Sequence, residues 1–269
     1  MMIILRGAFA KDWTQNNAFD RVKEIRGQEI RNKEGRRTVR FEYNSKFYYL
    51  KHHTGIGWGE IVKCLSQLKL PVTGAANEWR AINRLSSLGV KTLTPLAYGL
   101  RGANPAKIES FLITEELTGT ISLAKYTERW PQYPPTFNSK QKIIETVATI
   151  SRAIHRDGIN HRDLYICHFL LKRQIDLLSG PVMHLVDLHR AQCRSAVPKR
   201  WLVKDLASLY FSSLDIGLTR RDIFRFLKIY FNKPLKEIIT SDGELLTAVR
   251  QRALQLYRRD FGQEPAVIY

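Results

Sequence analysis

Residues 161–171 read His-Arg-Asp-Leu-Tyr-Ile-Cys-His-Phe-Leu-Leu, and the interpretation of the whole chain starts from this stretch. Asp163 follows a His-Arg pair and precedes an apolar run that ends at Leu171. The pattern predicts a loop that carries the Asp163 carboxylate and leads into a buried strand. Because the tripeptide also occurs by chance, its meaning depends on a Lys and a Glu upstream and a second acid downstream.

The upstream Lys is predicted at the end of a strand. Residues 38–43 alternate with period two, Asn44-Ser45 forms a turn, and a second strand over 46–51 ends at Lys51. A buried cation in this position needs a carboxylate and a bound ligand to offset its desolvation. The alternative is an ordinary strand-end lysine whose ammonium group reaches water.

The upstream Glu is predicted on a helix over residues 76–88. Glu78 precedes Ile82 by four residues, so its side chain falls on the apolar face of that helix. A carboxylate on an apolar face needs a partner, and Lys51 is the candidate. The alternative is a first-turn Glu favoured by the helix dipole.

The downstream acid is Asp187, the last residue of a predicted strand over 181–187. Lys51, Glu78, Asp163 and Asp187 thus occur in the order, and on the element types, that resemble a protein kinase. The resemblance implies that Lys51 orients the phosphates of ATP, Glu78 fixes Lys51, and Asp187 holds Mg²⁺. Asp163 then acts as the catalytic base, in a motif shared with His161 and Arg162.

This resemblance predicts an α+β, bilobal protein-kinase-like fold. We expect a small antiparallel-sheet N-lobe over 1–116 and a mainly helical C-lobe over 117–269. The adenine would be held at the junction by the backbone near Glu115 and Leu117. Arg36 and Arg37 belong to a basic hairpin loop in the position of the phosphate-covering loop of kinases. That loop lacks the three-glycine pattern, so a solvated basic turn remains an alternative.

One position departs from the protein-kinase pattern. An Asn normally follows the catalytic Asp by five residues as a second metal ligand, and His168 occupies that position here. Neutral imidazole is a poor ligand for Mg²⁺ compared with an amide or carboxylate oxygen. Either the metal is bound differently, or His168 has another role, or the chain is a pseudokinase.

Longer motifs resemble a narrower family, the lipopolysaccharide core heptose kinases that phosphorylate the first heptose. The segments that carry the resemblance are 161–171, Asp-Leu-His-Arg-Ala-Gln at 187–192, Lys-Arg-Trp at 199–201, Lys-Asp-Leu at 204–206, Leu-Tyr-Phe-Ser at 209–212 and Gly-Ile-Gly-Trp-Gly-Glu-Ile at 55–61. The resemblance covers about residues 8–260, and in that family His168 and a glycine-poor loop are the usual pattern. It implies transfer of phosphate from ATP to the first heptose of the inner core, at the cytoplasmic face of the inner membrane of Gram-negative bacteria.

Charge and composition agree with such an acceptor. The chain has a net charge of +18, which predicts a polyanionic partner such as nucleic acid, an anionic membrane face or a phosphorylated substrate. Lys199, Arg200, His189 and Arg190 are candidates for acceptor recognition. The chain has three cysteines, an odd number that leaves one without a disulfide partner, and this indicates a reducing compartment. No run of residues approaches the roughly 20 apolar residues of a membrane span.

The amphipathic stretch 55–73 has three alternative roles. Its apolar residues either pack in the core, dock on the membrane or receive an acidic partner protein. A helix over 60–70 would align Ile61, Leu65 and Leu68 on one stripe.

Other functions fit less well. A Kdo kinase of the same fold generally keeps the Asn that His168 replaces, and a protein kinase should show an Ala-Pro-Glu segment after Asp187. A nucleic-acid-binding module would share the basic charge, but the sequence shows no helix-turn-helix or RNA-binding signature. Nucleic acid is therefore not expected as a partner. A non-catalytic basic scaffold is the remaining alternative.

Overall fold

The chain folds into two compact units in the computed structural model. The structure describes residues 1–33, 35–66, 71–173 and 180–266. The first unit comprises Met1–Arg84 and Leu93–Thr118, and the second comprises Leu85–Thr92 and Gly119–Tyr269. The single division between 116 and 117 drawn from the sequence stays a prediction.

The first unit is built on a six-stranded antiparallel sheet. The strands lie in the order β1-β5-β6-β4-β3-β2. Their bounds are β1 Met2–Leu5, β2 Gln28–Lys33, β3 Arg36–Tyr43, β4 Lys46–His53, β5 Pro95–Arg101 and β6 Glu109–Glu115. The helices of this part of the chain are α1 Gly7–Asp12, α2 Ala18–Glu24, α3 Gly57–Ser66 and α4 Ala76–Ser87.

The turn predicted at Asn44-Ser45 sets the register of the central hairpin. Both residues have positive φ, 47° and 59°, as a two-residue hairpin turn requires. Strand β3 then pairs with β4 from Tyr43 opposite Lys46 to Arg36 opposite His53. This register places Lys51 opposite Thr38 on one side and Leu112 of β6 on the other, near the middle of the sheet.

One face of this sheet packs on an aromatic core. Phe9 of α1 is fully buried, and its ring lies 5.0 Å from Trp13, 4.9 Å from Tyr43 and 5.2 Å from Tyr48. Gly99 in β5 has no side chain because the ring of Phe111 occupies that space. A Cβ there would lie 2.2 Å from the Phe111 ring. Close packing therefore fixes the sheet on which Lys51 is carried.

The second unit is mainly helical, with short strands that carry loops. Its helices are α5 Leu123–Thr127, α6 Phe137–Arg156, α7 Lys199–Ser212, α8 Arg220–Phe231 and α9 Leu235–Phe261. Its strands are β7 Thr120–Ser122, β8 Ile159–Asn160, β9 Phe169–Lys172, β10 Met183–Leu185 and β11 Gln192–Cys193. Strands β10, β9 and β7 form one small sheet and β11 pairs with β8.

The two small antiparallel sheets of the second unit position the loops of interest. Strand β8 ends at Asn160, directly before the His161-Arg162-Asp163 loop, and β10 ends two residues before Asp187. The predicted architecture of an antiparallel-sheet unit followed by a helical unit is confirmed. Within the described ranges, no helix is both long and apolar enough to cross a membrane.

Candidate active site

Lys51 and Glu78 form the ion pair that the sequence predicted. Lys51 Nζ donates to Glu78 Oε1 over 2.5 Å, and the Glu78 side chain is only 1% exposed. Glu78 lies in the first turn of α4, so the dipole of the helix also favours its charge. A buried carboxylate of this kind is stable only with a cationic partner, and the pair holds the Lys51 ammonium at a defined place on β4.

The other residues predicted to bind nucleotide lie on or beside the sheet. Arg37 is held by Glu29, with 3.0 Å between Nε and Oε1, and it donates to the Ile25 carbonyl oxygen over 2.8 Å. Arg36 begins β3 and is partly buried, and Leu117 is also partly buried. Glu115 ends β6, and its carboxylate lies 3.4 Å from Lys46 Nζ.

The His161-Arg162-Asp163 loop of the second unit is fixed by a buried acid. Asp205 of α7 accepts hydrogen bonds from the backbone N–H of His161 at 2.6 Å and of Arg162 at 2.7 Å. Arg162 has φ of 74°, a left-handed conformation that a non-glycine residue adopts only when its surroundings impose it. The two hydrogen bonds that the backbone donates to Asp205 offset the cost of that conformation.

His161 is part of this support and is itself fully buried. Its Nε2 lies 2.9 Å from the Val186 carbonyl oxygen and therefore carries the proton that is donated there. Burial lowers the pKa of His161, although Asp205 and the Val186 carbonyl oppose that shift. The ring is accordingly neutral and ties the loop to the residue before Asp187.

The carboxylate of Asp163 accepts two hydrogen bonds from Arg190. One nitrogen of Arg190, Nη1, donates to Asp163 Oδ1 over 2.8 Å and to Oδ2 over 2.9 Å. The side chain of Asp163 remains partly accessible, and Arg190 follows Asp187 by three residues. The structure shows that Arg190 holds the candidate base in place, whereas its contact with the acceptor stays a prediction.

Asp187 has two histidine neighbours. His189 Nδ1 lies 2.6 Å from Asp187 Oδ1, and His168 Nε2 lies 3.4 Å from Oδ2. Asp187 has φ of 62°, a second left-handed non-glycine residue in this region. Carboxylate oxygens are the ligands that Mg²⁺ prefers in proteins, so the residue type at position 187 suits a magnesium ligand.

His168 links the two acids of the site. Its Nδ1 donates to the Asp163 carbonyl oxygen over 2.7 Å, while its Nε2 faces Asp187. Burial lowers the pKa of His168, but contacts with Cys167 and the Asp163 carbonyl, together with the Asp187 charge, raise it to about 9. The ring is therefore protonated at neutral pH and pairs with Asp187 as a cation.

The remaining candidates lie in the first turn of α7. Lys199 pairs with Glu244 at 3.2 Å, and both side chains are exposed. The Arg200 guanidinium lies 5.1 Å from the centre of the Trp201 ring. Arg162 and Lys204 also contact this ring, at 5.0 Å and 5.6 Å. The sequence interpretation singled out neither Trp201 nor Lys204 as a site residue.

Asp205 was likewise missed, although a signal was available. It precedes the buried Leu209 of α7 by four residues, the same spacing that identified Glu78 from Ile82. Asp205 also lies 3.3 Å from His155 Nε2, whose Nδ1 contacts the hydroxyl of Tyr230 at 2.7 Å. This buried network anchors α6, α7 and α8 beneath the loop.

The exposed face of α3 differs from the predicted stripe. Ile61 is buried, whereas Trp58, Val62 and Leu65 are 57%, 61% and 52% exposed. These three stand at i, i+4 and i+7, so they share one face of the helix. Leu68, predicted on the same stripe as Ile61, lies outside the described residues.

Comparisons with known proteins agree with these observations. The model of the family described as "Lipopolysaccharide kinase (Kdo/WaaP) family" matches residues 20–230. The chain is 47% identical over 260 residues to lipopolysaccharide core heptose(I) kinase WaaP of Pseudomonas aeruginosa, covering 96% of this chain and 97% of that one. It is 46% identical over 259 residues to WaaP of Escherichia coli, covering 96% and 98%.

A solved structure supports the fold. WaaP in complex with acyl carrier protein superimposes with a TM-score of 0.84 at 42% identity, covering 96% of this chain and 100% of that one. The fold class predicted from the sequence is thereby confirmed. The chain belongs to the lipopolysaccharide kinase (Kdo/WaaP) family.

Proposed function

We propose that this chain is an ATP-dependent kinase that phosphorylates the first heptose of the lipopolysaccharide inner core. The observation that carries the proposal is its similarity, over almost its full length, to two proteins named heptose(I) kinase. The ordered acid at Asp163 supports the same reaction, because a kinase needs a carboxylate that can orient and deprotonate a hydroxyl acceptor.

Each site residue then has a role in phosphate transfer. Lys51, held by Glu78, binds the phosphates of ATP. Asp163, oriented by its hydrogen bonds with Arg190, accepts the proton of the heptose hydroxyl while the hydroxyl oxygen attacks the terminal phosphorus of ATP. The bond from phosphorus to the bridging oxygen breaks, and ADP leaves. His161 and Asp205 contact no reacting atom in this scheme and act as positioning residues.

Asp187 is the residue that would hold Mg²⁺. A bound Mg²⁺ neutralises charge on the phosphates of the nucleotide. His168 Nε2 faces Asp187 and its Nδ1 donates to the backbone of Asp163, so we assign it to positioning these acids rather than to metal binding. The adenine would be held by the backbone near Glu115 and Leu117, with Arg36 and Arg37 near the phosphates.

A transfer assay tests this function. The protein is incubated with ATP labelled on its terminal phosphate, Mg²⁺ and lipopolysaccharide that lacks the heptose phosphate. We expect label in the inner-core heptose, and no label there when Mg²⁺ is omitted. An absence of transfer by the wild type, with ATP binding intact, would favour the scaffold alternative or another acceptor such as Kdo.

We also propose that the chain binds an acyl carrier protein. The support is the solved complex of its relative WaaP with such a protein, and a net charge of +18 favours an acidic partner. The second unit contains a cavity of about 310 Å³ with an almost entirely apolar lining that includes Leu123, Val147, Ile166 and Leu206. An acyl chain is a ligand of suitable chemistry for this cavity.

The partner proposal makes two separable predictions for titration calorimetry. Affinity for the carrier protein should fall steeply with salt if the charge contributes. Affinity should also be higher for the acylated carrier than for the carrier without a chain if the cavity is used. Equal affinity for the two forms would exclude the cavity but not the surface contact.

Finally, we propose that the protein acts at the cytoplasmic face of the inner membrane. The exposed face of α3 formed by Trp58, Val62 and Leu65 supports peripheral attachment, because an apolar helix face beside basic residues binds anionic lipid surfaces. Flotation with anionic vesicles should be reduced by Val62→Asp and Leu65→Asp. Unchanged flotation of both variants would rule out this face as the attachment site.

A further inference from the structure

Buried hydrogen-bond donors beside the catalytic loop face no acceptor. Arg162 is 5% exposed, and its buried Nε has no hydrogen-bond partner in the described part of the chain. The same holds for the buried indole N–H of Trp201, whose ring lies 5.0 Å from the Arg162 guanidinium. Buried donors are almost always satisfied in folded proteins, so two such groups in contact indicate a missing acceptor.

A third donor lies on the same aromatic ring. Lys204 Nζ is 5.6 Å from the centre of the Trp201 ring, and no carboxylate of the described ranges lies within ion-pair distance of it. Burial lowers the pKa of Lys204, and the charges of Arg190 and Arg162 lower it further against the opposing effect of Asp163. The ammonium group therefore lies near the cations Arg190 and Arg162 and also near the acids Asp163 and Asp205.

The acids of this region are already engaged elsewhere. Asp163 is held by Arg190, and Asp205 accepts the two backbone N–H groups of the loop. Arg194 donates to the neutral amides of Asn160 and Gln192 rather than to a carboxylate. The cations around Trp201 consequently exceed the acids available to neutralise them, and an anion would lower the electrostatic free energy of the cluster.

We propose that Arg162, Trp201 and Lys204, flanked by Arg194 and Arg200, form an oxyanion subsite for the acceptor. The subsite receives an acidic group of the acceptor, either a sugar carboxylate or a phosphate, next to the base at Asp163. The indole N–H and the Arg162 Nε supply hydrogen bonds, and Lys204 supplies charge. The N-terminus of the 14-residue helix α7, which has no side-chain cap, adds its dipole to the same region.

The inference rests on the proposed heptose kinase function and specifies how the acceptor is oriented. An anion fixed beside Asp163 would align one hydroxyl of the sugar with the base and leave its neighbours out of reach. The subsite would also discriminate against neutral sugars, because their binding leaves its buried donors unpaired.

The test compares Lys204→Met and Trp201→Phe with the wild type and with the control Lys125→Met. Lys125 is an exposed lysine paired with Glu128, so the control removes the same charge from an exposed site. We expect Lys204→Met to raise KM for the acceptor at least about tenfold, the loss of one charge-assisted hydrogen bond, with KM for ATP as in the wild type. Trp201→Phe keeps the ring but removes the donor, and it should raise the same KM by a smaller factor.

A conservative variant and a binding measurement separate acceptor binding by Lys204 from a purely structural role and from catalysis. Lys204→Arg should restore acceptor binding, which a purely structural role for Lys204 would not predict. Equilibrium binding of the acceptor without ATP separates the subsite from catalysis, so an inactive wild type that still binds the acceptor through Lys204 would refute only the kinase proposal. Wild-type values of KM in both Lys204→Met and Trp201→Phe would overturn the subsite.

Modified acceptors identify the anion. Acceptor with reduced carboxyl groups should abolish the difference between wild type and Lys204→Met if the subsite holds a carboxylate. Acceptor with its phosphates removed should abolish that difference if it holds a phosphate. A difference that persists with both acceptors would show that Lys204 does not contact an anion, and the inference would fail.

Discussion

At the scale of single residues, the chemistry concentrates on Asp163. Its carboxylate is partly accessible, and two hydrogen bonds from Arg190 fix its orientation. We expect Asp163→Asn to reduce transfer to the acceptor by about 10²–10⁴-fold, because an amide cannot accept the hydroxyl proton. The measurement is the rate of label transfer, with binding of a non-hydrolysable ATP analogue as the control for folding. Asp260→Asn, at an exposed acid, should transfer at the wild-type rate.

Arg190 gives a second prediction at this scale. One nitrogen of its planar guanidinium contacts both oxygens of Asp163, and a lysine would place a flexible, more strongly hydrated ammonium there. We expect Arg190→Lys to lower kcat about tenfold and Arg190→Met to lower it further, because the base loses its orientation. Equal rates for the wild type and Arg190→Lys would show that charge near Asp163 suffices and that the two-point contact is dispensable.

At the scale of elements, helix α7 supports the catalytic loop through Asp205. The carboxylate is fully buried and accepts two backbone N–H groups at 2.6 and 2.7 Å. Hydrogen bonds to a charged group contribute about 1.5–3 kcal/mol each. We therefore expect Asp205→Ala to lower the free energy of unfolding by about 3 kcal/mol or more, measured by denaturant titration, and Asp205→Asn to lower it less. Loss of transfer without loss of stability would contradict this supporting role.

The elements also show why sequence reasoning succeeded in some places and not in others. The hairpin at Asn44-Ser45 and the buried position of Glu78 follow from local periodicity and turn chemistry, which are written into neighbouring residues. The hydrogen bonds between Arg190 and Asp163 join residues 27 positions apart in a region without long regular elements. No periodic pattern reports such a contact. Lys204 and Trp201 were overlooked because their significance lies in missing partners, which only coordinates reveal.

At the scale of the whole molecule, buried histidines link stability to pH. Burial lowers the pKa of His52, His161 and His184 from the ordinary value of 6.5. Near His184, the charges of Lys91 and Lys172 lower it further, opposed by the Leu170 carbonyl. Near His52, Glu109 opposes the shift while Arg37 and Lys23 add to it. In each case the folded state binds its proton less readily than the unfolded state does.

The sign of the pH dependence follows from this difference. Below about pH 6.5 these histidines bind protons in the unfolded chain but stay neutral in the folded chain. The free energy of unfolding therefore falls as the pH drops toward the folded pKa values. Each such histidine contributes up to about 1.4 kcal/mol per pH unit within that window. We expect the thermal midpoint to decline from pH 6.5 to 5.5, and His184→Gln to flatten that decline. A midpoint that stayed constant or rose on acidification would show that these rings are protonated in the folded chain.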